Sequence, residues 1–172
     1  MATTCESFSC GNYLPITTQR AEPILQQQIY EGNRHRIYAL SFWMTDNELM
    51  AEELMETTFR CAFAKAAEPS AELLDLTLIS ALRQSMPLGK LSLNCGVCTQ
   101  VCEVRRNVLR THLERAVVQL PATERMTFLL HDVENYDHRR IARYLGLTED
   151  ESRYALHQAR LRLRELLSEM VF

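Results

Sequence analysis

Beyond residue 20, apolar positions along the chain recur mostly at helical spacing. Pro23 suits a helix's first turn, and Ile29, Ile37, Leu40 and Met44 follow it as one apolar stripe. Gly32 interrupts this run, and a glycine there weakens a helix by about 1 kcal/mol relative to alanine, which favours an effective start after it. Thr45-Asp46-Asn47-Glu48 has the spacing of a capping box and predicts a second helix. Its positions Ala51, Leu54, Met55, Thr58, Phe59 and Ala62 form an inner face, while Glu52, Glu53 and Glu56 fall opposite. Pro69-Ser70 restarts the chain. The third helix carries Leu73, Leu74, Leu76, Leu78, Ile79, Ala81 and Leu82, and is apolar nearly all round until Pro87 stops it. Such a helix must be buried on more than one side.

The period is then lost over residues 88–101, LGKLSLNCGVCTQV, which contain Gly89 and Gly96 and read as a linker. A fourth helix is expected from about Cys102 to Leu120, with Val104, Val108, Leu113, Ala116, Val117 and Leu120 inward. Pro121 ends it and opens a fifth, about Ala122 to Glu134, that presents Met126, Phe128, Leu129, Leu130 and Val133. Asp137 can cap a short helix with Ile141, Ala142 and Leu145 inside, Gly146 can end it in a left-handed conformation, and Thr148 can cap the next. Leu156, Ala159, Leu163 and Leu166 continue that last helix. The spacing predicts either a helix-turn-helix or an ordinary helical hairpin.

Ten glycines and prolines in 172 residues are few for a sheet protein, so the expected fold class is all-α. Two small helical domains are expected, at 21–87 and 102–172, joined by the 88–101 linker after a loose tail at 1–20. No apolar run reaches the roughly 18 residues that span a bilayer, and residues 1–11 lack the pattern of a signal peptide, so a cytoplasmic protein with no membrane contact is expected.

Charge is unevenly distributed. Residues 1–102 sum to −4, whereas residues 103–172 sum to +1, and all twelve cations of the second segment are arginine. Guanidinium presents a planar fork suited to phosphate or carboxylate. Arg139, Arg140 and Arg143 lie on the first helix of the C-terminal pair. Arg153, His157 and Arg160 follow at i, i+4 and i+7 on the second, one stripe that could enter a major groove. A solvated helix face laced with ion pairs is the alternative.

With its C-terminal residues Leu120-Pro121, Glu124-Arg125, Phe128-Leu129-Leu130, Ile141-Ala142, Leu145-Gly146-Leu147-Thr148, Leu156-His157, Ala159-Arg160 and Leu163-Arg164, the chain resembles the extracytoplasmic-function class of RNA polymerase sigma factors in region four. Asp46, Ala51-Glu52-Glu53-Leu54 and Phe59 are similar to the region-two helix of that family. The resemblance implies core RNA polymerase as a partner, met by Asp46, Glu52, Glu53 and Glu56. It also implies promoter DNA, met by Arg139, Arg140, Arg143, Arg153, His157 and Arg160, with an anti-sigma factor as a further candidate partner. No covalent chemistry is expected, since the sequence holds no Gly-rich phosphate loop, no H-E-x-x-H and no nucleophile elbow.

Three stretches depart from the family pattern. The third helix has no aromatic or cation between Glu72 and Arg83, although unpaired bases need stacking platforms and phosphates need positive charge. Tyr38, Phe42 and Trp43 are aromatic, but their place in the first helix suggests core. The recognition helix opens on Glu149-Asp150-Glu151, and Ala155 and Gln158 stand where the family commonly has arginine. DNA affinity is therefore expected to be weak or dependent on polymerase. Cys95, Cys98 and Cys102 form C-x2-C-x3-C, which could hold zinc or an iron-sulfur cluster with a fourth ligand, or remain three thiols or a redox pair. The expected resident cofactor is otherwise none.

Overall fold

A computed structural model of the chain describes residues 21–94 and 109–170. Among these residues the fold is all-helical. Its elements are α1 (Ala21–Thr45), α2 (Glu48–Lys65), α3 (Ala71–Leu82), α4 (Arg110–Val118), α5 (Ala122–Phe128), a π-helical turn (Leu129–Val133), α6 (His138–Leu145) and α7 (Glu149–Met170). No described helix is long and apolar enough to cross a membrane.

Local chemistry sets most boundaries and corrects some expected ones. Helix α1 runs through Gly32 without a break. Thr45 is its last residue and not a cap: its hydroxyl donates back to Ser41 O at 2.9 Å. Asp46 turns the chain at φ 52°. The cap of α2 is Asn47, whose Oδ1 accepts from Met50 N at 3.0 Å. Ser70 caps α3 by accepting from Leu73 N at 3.2 Å. After α5, Glu134 N bonds to Leu129 O at 3.1 Å, an i to i−5 closure that widens the helix into a π turn. Val133 is left exposed there, and Leu113 is exposed on α4, although both were expected inside.

Helices α1 to α3 and α4 to α7 share one continuous core. Ile37, Leu40, Leu74, Leu78 and Leu82 belong to the same apolar cluster as Leu120, Met126, Leu130, Ile141, Tyr144 and Leu163. Helix α1 packs on α4 and α5 as well as α2, and α3 packs on α6 as well as α2 and α1. The all-round apolar character of α3 has its reason here, because a second helix layer covers it. In this conformation the two halves are docked on each other, whereas a linker of fourteen residues suggested separate bodies.

The described part of that linker is itself strapped to the start of α5. Gly89 N and Lys90 N donate to Thr123 Oγ1 at 3.1 and 3.2 Å, and Thr123 Oγ1 donates to Pro87 O at 3.2 Å. Ser92 N and Leu93 N donate to Glu124 Oε1 at 2.6 and 2.7 Å. Gly89 has φ +90°, and a Cβ there would stand 2.6 Å from Leu145 O, so only glycine fits. Glu124 is fully buried. Glu124→Ala leaves the Ser92 and Leu93 amides without acceptors and is expected to lower stability by about 2 kcal/mol in urea unfolding. Amide exchange at Ser92 and Leu93 is expected to accelerate more than that of the core.

Candidate nucleic-acid interface

The C-terminal helix pair is built by its caps. Asp137 accepts from Arg140 N at 2.7 Å to start α6. Ile141, Ala142, Tyr144 and Leu145 fix its inner face. Gly146, at φ 72°, ends it in the left-handed region, and Leu147 N returns to Ala142 O at 2.9 Å. Thr148 then forms a capping box with Glu151: Thr148 Oγ1 accepts from Glu151 N at 3.1 Å, and Glu151 Oε2 accepts from Thr148 N at 2.7 Å. These bonds, backbone first, hold the Glu151 carboxyl below the usual range.

Helix α7 buries Ser152, Ala155, Leu156, Gln158, Ala159, Leu163, Leu166 and Leu167, and it packs on α4, α5 and α6. It is therefore the axis of the rear bundle and not one arm of a plain hairpin. Ala155 and Gln158 point inward. Their departure from arginine consequently removes no surface cation from this conformation. The exposed stripe is Arg153, His157, Arg160 and Arg164. Arg164, part of the family resemblance but not among the expected DNA contacts, continues the stripe four residues beyond Arg160.

The acidic opening of α7 is internally matched. Arg153 pairs with Glu149, and with Asp150 at 3.0 Å, while Glu151 closes the capping box with Thr148. The Arg153 side chain remains 54% exposed, and such pairs are worth at most about 1 kcal/mol, so a phosphate can displace them. Arg160 forks onto Asp132 at 2.6 and 3.0 Å. Burial pushes the Asp132 carboxyl up, but hydrogen bonds from Arg160 and His131 outweigh it and hold the group below its ordinary value.

The six residues expected to meet DNA do not share one fate. Arg139 and His157 are exposed. Arg143 is exposed but bonds Glu72 of α3 at 2.7 Å. Arg140 is half-buried: Nε donates to Tyr144 Oη at 2.8 Å, Nη2 lies 3.4 Å from Asp75 Oδ2, and the guanidinium covers the Tyr136 ring at 3.8 Å. In this conformation two of the Arg140 nitrogens are directed at Tyr144 and Asp75, while the side chain stays 32% exposed.

His138 links α6 to α7. Its Nδ1 lies 3.1 Å from Ser152 Oγ, and its ring stacks on His131 at 4.7 Å. Burial, then the neighbouring His131 and Arg153, lowers its pKa, with Glu149 opposing and Arg160 adding to the effect. A folded-state pKa below the unfolded 6.5 makes neutral His138 favour the native state. This stabilisation is present above pH 6.5 and is lost as pH falls through the lower folded value. The thermal midpoint is expected to fall between pH 7 and pH 5, and the His138→Gln variant should show a shallower decline.

On the other half, Asp46, Glu52, Glu53 and Glu56 are all exposed, but they do not converge on one spot. Glu52 and Glu56 border a cleft of about 590 Å³ between α1 and α2, beside Arg34, His35 and Arg60. Glu53 lines a groove toward α3 with Met50 and Thr57. Asp46 borders a third cleft, of about 440 Å³, with Arg110 and Arg115 of α4. The aromatic side chains of Tyr38, Phe42 and Trp43 line that third cleft half-buried; Trp43 also packs against the core as expected, whereas Tyr38 and Phe42 are not part of the core cluster. Leu49, 77% exposed, and Met50 stand at the head of α2 among the carboxylates. Sequence reasoning named neither, because both precede the periodic inner face of α2 that starts at Ala51.

Cys95, Cys98 and Cys102 lie outside the described residues. Among the described residues no group of three or more His, Cys, Asp or Glu is placed to hold a metal ion.

Residues 110–163, from the start of α4 through most of α7, match the family described as Sigma-70, region 4. Over this segment the chain is similar to region 4 of the sigma-70 family. Its overall fold is similar to that of the sigma factor RpoE from Bartonella quintana, solved in complex with the anti-sigma factor NepR. The TM-score is 0.60 at 17% identity, over 82% of this chain and 95% of that one. At that identity the likeness establishes the fold alone, over most of the chain. No curated protein matches the sequence. Within the region 4 segment, α6 and α7 are the helix-turn-helix, and the stripe from Arg153 to Arg164 is the outward edge of its second helix.

Proposed function

We propose that the protein is an initiation factor of the extracytoplasmic-function type, which binds core RNA polymerase and directs it to promoters. The observation that carries this reading is the outward stripe Arg153, His157, Arg160 and Arg164 on the second helix of a sigma-70 region 4. Cations spaced along one helix edge can neutralise phosphates and set register in a major groove, and an arginine near the helix start can fork onto a base. The exposed Leu49 and Met50, ringed by Glu48, Glu52 and Glu53, supply a surface for polymerase: apolar centre, acidic rim. The factor contributes specificity and performs no covalent chemistry of its own.

A second reading is a sigma-like module that occupies polymerase or captures an anti-sigma partner without reading promoters. The poverty of α3 in cations and aromatics favours it, as does the engagement of Arg83, whose Nη2 donates to Tyr144 O at 3.0 Å. Transcription from genomic fragments with core polymerase separates the two. Discrete start sites that require the added protein support the initiation factor. Stable binding to core polymerase without start sites supports the module, and no binding to polymerase at all contradicts the initiation factor and leaves of the module only its anti-sigma form.

A further inference from the structure

Asp75 is the most heavily engaged carboxylate at the junction of the two halves. It is 2% exposed, although it sits on a helix otherwise lined with leucine. Arg36 of α1 donates to its Oδ1 at 2.5 Å, Tyr136 Oη donates to its Oδ2 at 2.7 Å, and Arg140 of α6 approaches Oδ2 at 3.4 Å. Arg36 also donates to Tyr136 Oη at 3.2 Å and lies 3.9 Å from Glu134 Oε2. One helical turn away on α3, Glu72 accepts from Arg143 of α6 at 2.7 Å.

The register is informative. Residues 72 and 75 on α3 face residues 143 and 140 on α6, three apart on each helix and in opposite order. Neighbouring turns of two antiparallel helices meet in this way. Two carboxylates thus occupy two guanidiniums of the helix-turn-helix, in the manner that two phosphates would. We propose that Glu72 and Asp75 are an internal phosphate mimic: a latch that closes region 4 onto α3 and must release before either surface engages promoter DNA.

The inference rests on the reading of α6 and α7 as a DNA reader, and it adds a state in which that reader is shut. The two contacts divide the work. Glu72 with Arg143 is exposed and exchangeable, so it sets charge complementarity more than strength. Asp75 is buried, and removing its partners strands a carboxylate away from water. Opening moves Tyr136 and Arg140 away while Arg36, on the same half, can stay with Asp75. A partner that binds the open form shifts the equilibrium only by its differential affinity for that form.

Small-angle scattering on the full chain tests the latch. A compact chain of this length has a radius of gyration of about 16 Å, and separation of the halves should raise it by roughly 3 Å. Glu72→Arg, at an exposed site, sets like charges face to face, and Asp75→Asn weakens the buried junction. Both are expected to expand the protein while its helical circular dichroism is retained. The exchange Glu72→Arg with Arg143→Glu restores the pair and should return the wild-type radius. Folded variants with an unchanged radius would overturn the latch. Expansion that leaves duplex DNA binding unchanged from wild type would also overturn the latch, because the closed form would then engage DNA as well as the open one. Absence of DNA binding from the open and closed forms alike would instead remove the promoter-reading role proposed above.

Discussion

Arg125→Ala is expected to lower the unfolding free energy by about 3 kcal/mol and the thermal midpoint by about 6 to 12 °C. The half-buried guanidinium donates to Leu120 O from Nε at 3.0 Å and from Nη2 at 2.8 Å, to Met44 O at 2.9 Å, to Trp43 O at 3.3 Å, and to Val118 O. These carbonyls lie near the C-terminal ends of α1 and α4, where helices leave acceptors unsatisfied and where a positive charge is favourable. One side chain therefore closes two helix ends and joins the front half to the rear. Alanine leaves those carbonyls facing one another with no donor. Lysine carries the charge but not the planar fork, so Arg125→Lys should recover only part of the loss. Urea unfolding of the three proteins checks the prediction, and a loss under 1 kcal/mol for alanine would show that water replaces the guanidinium.

Leu49→Arg is expected to weaken binding to core polymerase about 30-fold, which corresponds to about 2 kcal/mol, without lowering the thermal midpoint. Leu49 is largely exposed and contributes little to the core, so its loss should not unfold the helix. An apolar side chain at the centre of an acidic rim is where desolvation on docking is concentrated. Glu53→Ala, at the rim, should instead slow association and flatten its salt dependence while changing dissociation little. Equal effects of Leu49→Arg and Glu53→Ala in titration calorimetry and stopped-flow binding would place the contact elsewhere.

Much of the architecture is readable in the sequence because it is written in periods and caps. Ser70, Asp137, Gly146 and Thr148 act where their chemistry says they should, and the inner faces of α2 and α7 follow the apolar spacing. Thr45 misleads because Asn47, two residues on, offers a competing cap, and a capping box cannot be ranked against it from spacing alone. The π-helical turn is unreadable for a similar reason: its bonds satisfy the same backbone groups as an α-helix, and only packing selects them.

The functional surface divides differently. The Arg153 to Arg160 edge is visible as a period, and its extension to Arg164 is implied by the same count. The acidic start of α7 looked hostile to phosphate, yet Glu151 closes the capping box with Thr148 and Arg153 balances Glu149 and Asp150. The engagement of Arg140 and Arg143 depends on residues 65 and 71 positions away, a distance that no local pattern records. Asp75 shows the limit well. In the sequence it is one carboxylate in a leucine-rich helix, and only the folded chain brings Arg36, Tyr136 and Arg140 to it.

The most direct measurement is selection of DNA fragments by core polymerase reconstituted with the purified protein, carried out in parallel with the Arg153→Ala variant. The wild-type protein is expected to enrich a sequence of two separated blocks. The variant is expected to bind polymerase equally well but to lose discrimination in the upstream block, with each affected base pair losing about 1 to 3 kcal/mol of preference. Recovery of no recurring sequence by a wild-type complex that still holds polymerase, or equal loss of polymerase binding and selection in Arg153→Ala, would contradict the assignment of α7 as the promoter-reading helix.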